Sequence, residues 1–128
     1  MAYFPHNFDY SGYMEIEHAV GALGALAHPG RLTIYRMLVE AGPAGLTVGW
    51  ISKKLKMPGA TLSFHLSQLK HAGLAKARRN GREIIQIADF AQMNALVSYL
   101  TENCCGGNLA GCAPVCTPAK TRPRKKSA

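Results

Sequence analysis

Acidic residues are scarce in this chain, and over one long stretch they are missing. The 128 residues carry 7 Asp and Glu against 15 Lys and Arg, a formal charge of +8, and no Asp or Glu occurs from Ala41 to Arg82. A solvated charged face normally mixes signs, so an acid-free block argues against that bland reading. Long apolar runs are lacking as well: none reaches 18 residues, which excludes a helical membrane span. The N-terminus lacks a basic region followed by an apolar core and so does not read as a secretory signal. A cytoplasmic location follows as the expectation, with the four cysteines reduced. Cysteine is absent from the first 103 residues.

What remains is a chain long enough for one compact domain, with 48% hydrophobic residues to build its core. Its charge is uneven. Thr117–Ala128 holds Lys120, Arg122, Arg124, Lys125 and Lys126 and no acid; without it, 10 basic residues face 7 acidic ones. Eight of those ten (Lys53, Lys54, Lys56, Lys70, Lys76, Arg78, Arg79 and Arg82) fall between positions 53 and 82. A positive block confined to one structural unit is the footprint of a nucleic-acid surface.

The stretch from Pro58 to Gly73 reads as one helix, with Pro58 suited to its first turn and Gly73 to the stop just past its end. Leu62, Leu66 and Leu69 mark an apolar face. Ala60, Ser63, Phe64, Ser67 and His71 lie on or toward the opposite face, which has no acid. His65 falls near the leucine face and is read either as a buried, hydrogen-bonded histidine or as a contact residue.

Before this helix, Val48–Leu55 is predicted as a short helix with Thr47 as its N-cap and Trp50, Ile51 and Leu55 on its core edge. Two short helices joined at Lys56-Met57-Pro58 make a helix-turn-helix, whose second helix enters the major groove. After it, Asn80-Gly81 between two extended segments predicts a hairpin with both turn residues at positive φ. Arg78, Arg79 and Arg82 sit around its tip, as a wing able to grip phosphates.

Helices are also predicted over Glu15–Ala27, from the spacing of Ile16, Val20, Leu23 and Leu26, and over Arg31–Glu40, with Leu32, Ile34, Tyr35, Leu38 and Val39 buried. His28-Pro29-Gly30 separates them. Ala41–Gly45 reads as a loop, and Phe90–Asn103 as a last helix with Met93, Leu96, Val97 and Leu100 on its apolar face. The spare apolar faces of the first and last helices predict a two-fold dimer, which would pair two DNA half-sites. The fold class expected is mainly α with a small β-hairpin, a winged helix-turn-helix of five helices plus wing. The segments expected are an extension at 1–13, a DNA-binding and dimerisation domain at 14–103, a cysteine-rich inducer segment at 104–116 and a basic disordered tail at 117–128.

Cys104, Cys105, Cys112 and Cys116 all lie in that third segment, outside the predicted core. Several thiolates without oxygen ligands suit a soft, thiophilic ion. A four-thiolate zinc site stays open, although adjacent ligands are awkward for its tetrahedron. Pyramidal three-sulfur coordination of trivalent arsenic or antimony tolerates the adjacency better.

Three stretches together resemble the ArsR/SmtB family of metal-responsive repressors: Ala25–Leu32 (ALAHPGRL), Leu62–Leu69 (LSFHLSQL) and His71–Leu74 (HAGL). The resemblance covers roughly residues 14–105, and Leu100–Cys105 is similar to arsenite-responsive members with cysteines at the end of the final helix. It implies a cytoplasmic homodimer that binds double-stranded operator DNA and releases it when trivalent arsenic or antimonite binds, with no organic cofactor and no membrane partner. The chain departs from the family in three places. Gly45–Ile51 lacks the Cys-x-Cys pair of the best-known arsenic members, Phe90–Asn103 lacks the Asp and His of the zinc-responsive ones, and Phe64 replaces a basic residue. That leaves the tail cysteines as inducer site, with Cys104 and Cys105 joined by Cys112 or Cys116. Thr61, Ser63, Phe64, His65 and Gln68 are the expected groove residues, and Arg78, Arg79 and Arg82 the phosphate contacts. Phe64 would contact a thymine methyl or pack. The rivals are a thiol redox or persulfide sensor on the same scaffold and a thiol-based arsenate reductase. The reductase reading lacks an Arg soon after the cysteines, the next being Arg122.

Overall fold

The computed structural model describes residues 14–107; the extension at 1–13, Cys112, Cys116 and the basic tail lie outside the described residues. The chain runs α1 (Ile16–Leu26), α2 (Pro29–Ala41), a 3-10 turn (Gly42–Ala44), β1 (Leu46–Thr47), α3 (Val48–Leu55), α4 (Gly59–His71), β2 (Ala75–Asn80), β3 (Glu83–Ala88), α5 (Phe90–Leu100) and a 3-10 turn (Cys104–Gly107). This is the expected winged helix-turn-helix, five helices with a small antiparallel sheet.

Local chemistry sets most of the boundaries. Thr47 accepts a bond from the Trp50 N–H and caps α3 as predicted. α4 ends in a Schellman motif: Gly73, at φ 84, donates to the Lys70 carbonyl, and Leu74 donates to that of Leu69. The side chains of Leu69 and Leu74 are buried there. α2 begins at Pro29 rather than Arg31, because His28 stays extended and its Nδ1 accepts from the Gly30 N–H. Pro29 at the first helical position loses no bond, so the proline that separates two helices also starts the second.

The core gathers Ala19 and Ala22 of α1, Ile34, Tyr35 and Leu38 of α2, Ile51 of α3, and Leu62, Leu66 and Leu69 of α4, closed by Leu74, Ala75, Ala88 and Leu96. Two expectations of burial, those for Leu32 and Trp50, are corrected. α1 turns its alanine face inward, where small residues permit close helix approach, and leaves Ile16, Val20 and Leu23 exposed. Leu32 is exposed on α2, and Trp50 stands out from α3 with the Lys54 ammonium 5.7 Å from its ring centroid, a cation–π contact in place of core packing.

The sheet differs from a plain hairpin. β3 is central, pairing β2 on one side and β1 on the other, in the order β1-β3-β2. Gly45, at φ 71, admits β1: a Cβ there would lie 2.5 Å from Ile85 Cγ2 and 2.6 Å from the Gln86 carbonyl oxygen. The wing turn is shifted by one residue from the prediction. Asn80 pairs with Glu83, so Gly81 and Arg82 are the turn residues, and of these only Gly81 has positive φ. A single left-handed residue at the first turn position is the type II′ pattern, which glycine supplies without steric cost. α5 is also shorter than predicted, ending at Leu100 with Thr101 as its cap.

Candidate nucleic-acid interface

α4 packs on α2 and α3 through Leu62, Leu66 and Leu69, all buried, and this fixes which way its other side faces. Ala60, Thr61, Ser63, Phe64, Ser67 and His71 are exposed, and Gln68 is half-buried beside them. Phe64 is 58% exposed, so its ring does not pack into the core and is open to contact. The lysines of α3 and the turn after it, Lys70 on α4 and the basic residues of the wing are all exposed. The outward face of α4 thus carries no acid.

His65 resolves on the other side. Its ring is 7% exposed, 4.8 Å from the His28 ring, with Nδ1 3.5 Å from Arg31 Nη1. Arg31 is itself anchored by its Nε on the Ala25 carbonyl at 2.7 Å. Desolvation pushes the His65 pKa below the ordinary histidine value, and the charges of His28 and Arg31 push in the same direction. A neutral imidazole beneath the helix is a packing and positioning group, and burial removes it from the groove-facing set.

The wing arginines are not brought together as one tip. Arg79 Nη1 reaches the Gly81 carbonyl at 3.5 Å, and Arg82 is exposed in the turn. Arg78 points away from them, its Nη1 donating to the Pro43 carbonyl at 3.1 Å. Successive residues of a strand face opposite sides, which separates Arg78 from Arg79.

The two described cysteines follow α5 at a distance of a few residues instead of sitting in its last turn. Asn103, Cys105 and Gly106 all have left-handed backbone, at φ 57, 56 and 65. The resulting tight turn brings Cys104 Sγ to 3.7 Å from Cys105 Sγ. That is far outside the ~2.05 Å of a disulfide, so the pair is a dithiol. Hydrogen bonding to Cys105 raises the Cys104 pKa, with smaller contributions from burial and from the charge of Cys105. Among the described residues no group of three or more potential ligands comes together, because Cys112 and Cys116 lie outside them.

The helix-turn-helix domain family matches residues 26–78, the span from the end of α1 into β2. The chain is 36% identical over 85 residues to an uncharacterized HTH-type transcriptional regulator of Methanocaldococcus jannaschii, covering 57% of this chain and 93% of that protein. The chain belongs to the helix-turn-helix transcriptional regulators. A second relative is the transcriptional activator HlyU of Vibrio cholerae, 30% identical over 90 residues, which span 70% of this chain and 81% of HlyU. A solved HlyU structure superposes at a TM-score of 0.56 with 30% identity, covering 72% of this chain and 99% of that one, and another is described as reduced HlyU. The homodimeric winged helix-turn-helix domain Mb0332 of Mycobacterium bovis, described as a possible ArsR-family regulator, superposes at 0.54 with 27% identity, covering 73% and 86% of the two chains.

The relatives are named as regulators, which sets the arsenate reductase aside: the protein is a transcriptional regulator of the ArsR-like winged-helix kind and not an enzyme. The domain match stops at Arg78, short of Cys104 and Cys105. No helix among the described residues is long and apolar enough to cross a membrane. Sequence reasoning missed β1 and the outward turn of Trp50. Gly45 could have signalled the first, since a glycine two residues before the Thr47 cap permits a short bridge, but a two-residue strand has no periodicity to read.

Proposed function

We propose that the protein is a homodimeric repressor that binds operator DNA and releases it when trivalent arsenic or antimony is captured by its C-terminal thiolates. The DNA half of this reading is carried by α4, held from behind by three buried leucines while its outward face offers hydroxyls, an amide and one aromatic ring. Thr61, Ser63, Phe64 and Gln68 enter the major groove, with Phe64 placed for a thymine methyl. Arg79 and Arg82 hold phosphates; Arg78, tied back to Pro43, does not. Ile16, Val20 and Leu23 of α1 and Val97 and Leu100 of α5 are exposed, on helices that touch each other. These uncovered apolar side chains support the dimer.

The inducer half rests on the 3.7 Å approach of Cys104 and Cys105, with Cys112 as third ligand and Cys116 as the runner-up. Each sulfur–arsenic bond replaces an arsenic–hydroxide bond, and the thiol proton leaves with that hydroxide as water, so the exchange releases no net proton. Closing the tail onto the turn after α5 disturbs the adjoining dimer surface, and a coupling of ~2–3 kcal/mol is enough to empty the operator. The same dithiol supports a second reading, a redox or persulfide sensor, which the separately solved reduced form of HlyU favours.

The test is an operator-binding titration with arsenite, antimonite, zinc, cadmium and a mild oxidant, repeated on single Cys→Ser variants. Release by arsenite and antimonite, lost in Cys104→Ser and Cys105→Ser, is expected. Full induction of both variants would refute the site, and release by oxidant alone would favour the second reading. Arg79→Gln and Arg82→Gln are each expected to lower the salt slope of binding by about 1.

A further inference from the structure

Beside the wing lies a cleft that neither the reading helix nor the dithiol uses. It has a volume of about 250 Å3 and is lined by Pro43, residues 76–78 of β2, the end of β3 at Ile87 and Ala88, and Phe90. Register places its cations. Lys76 stands opposite Ile87 and Arg78 opposite Ile85, and directly paired residues share a face. Ile85 and Ile87 are buried, yet they lie outside the core cluster that holds Ala75 and Ala88. Their side chains abut Gly45 instead. This face of the sheet therefore looks toward the loop around Pro43, away from the core under α4.

Arg78 is not a loose surface cation. Its bond to the Pro43 carbonyl pins the guanidinium at the rim of the cleft, leaving further N–H groups to donate. Lys76 follows on the same face about 7 Å along the strand. Among the described residues neither is paired with a carboxylate. Two cations at the edge of an apolar recess are more than a phosphate contact needs, because a DNA phosphate has no apolar body to fill the floor.

We propose that this cleft binds a small organic carboxylate with an apolar body, the carboxylate meeting Arg78 and Lys76 and the body resting on Ile87 and Phe90. The cleft is smaller than the about 300–1,000 Å3 of drug-sized pockets, so the ligand is a single ring or a short branched chain. Bound there, it would join the loop before α3, the wing and the first turn of α5.

The experiment titrates the full-length isotope-labelled protein, without DNA, with benzoate, benzamide and inorganic phosphate, following backbone amide shifts. Because no DNA is present, the outcome does not depend on the repressor reading. Benzoate is expected to move the amides of Ala77, Ile87 and Phe90 saturably, with Arg78→Gln and Lys76→Gln each weakening it about tenfold. Both side chains are exposed, so the variants are expected to keep the wild-type spectrum elsewhere. Benzamide binding as tightly as benzoate would remove the cations from the site, and phosphate binding as tightly would remove the apolar floor. Unchanged affinity in both variants, or no saturable shift with benzoate, would overturn the proposal.

Discussion

Replacing His65 with alanine separates a residue that supports the reading helix from one that reads. The ring is 7% exposed, packs 4.8 Å from His28 and gives Arg31 a weak acceptor at 3.5 Å. Truncation leaves a cavity beneath α4 and takes the acceptor from Arg31. Large-to-small changes of buried rings cost up to 3–5 kcal/mol, and His65 sits at the edge of the core, so about 2–3 kcal/mol is expected. In a domain of this size each kcal/mol moves the melting temperature by about 4–8 °C, so the variant should melt roughly 10–20 °C lower. Ser63→Ala, on the exposed side of the same helix, should stay within about 0.5 kcal/mol of wild type and weaken operator binding instead. Thermal melts by circular dichroism, paired with operator titrations well below the variant's melting temperature, give both numbers. A His65→Ala protein that melts like wild type but loses the operator would refute the assignment. The pH dependence has a definite sign. The folded-state pKa lies below the unfolded value near 6.5, so the unfolded chain binds more protons as pH falls through that value. The contribution of His65 is complete above 6.5 and is lost as pH falls toward the lowered folded pKa; His65→Ala should flatten that part of the stability curve.

Gly45→Ala should destabilise by about 2 kcal/mol or more in denaturant melts, since the new Cβ meets Ile85 and the Gln86 carbonyl at 2.5 and 2.6 Å and the backbone is left-handed. Lys56→Gly should do the reverse. Lys56 holds φ 54 at the end of α3, and relieving that strain, less the entropy of the added glycine, is worth about 0.5–1 kcal/mol. Tyr35→Phe should be neutral or slightly stabilising, because the buried hydroxyl has no hydrogen-bond partner among the described residues. Burial, reinforced by Asp89, pushes the Tyr35 pKa up to about 12. Wild-type stability should therefore fall as pH rises from 10 toward 12, and Tyr35→Phe should remove that loss in alkaline melts.

Features written in consecutive residues were legible without the fold. Thr47 caps α3 because a hydroxyl one residue before the helix reaches an N–H three residues on, and Gly73 ends α4 because a left-handed stop favours glycine. The spacing of Leu62, Leu66 and Leu69 located the buried face of α4, and the missing acids located the surface around it. The tertiary structure decided the rest. Periodicity shows that α1 has an apolar stripe but not what covers it; packing chose Ala19 and Ala22 for the core and left Ile16, Val20 and Leu23 outside. His65 lies at the border of its helix's two faces, and only the approach of His28 and Arg31 places it underneath. Arg78 and Arg79 are neighbours in sequence, yet strand alternation and the Pro43 carbonyl send Arg78 to the far side of the wing. In each case the deciding contact comes from another element of the fold, where local spacing carries no information.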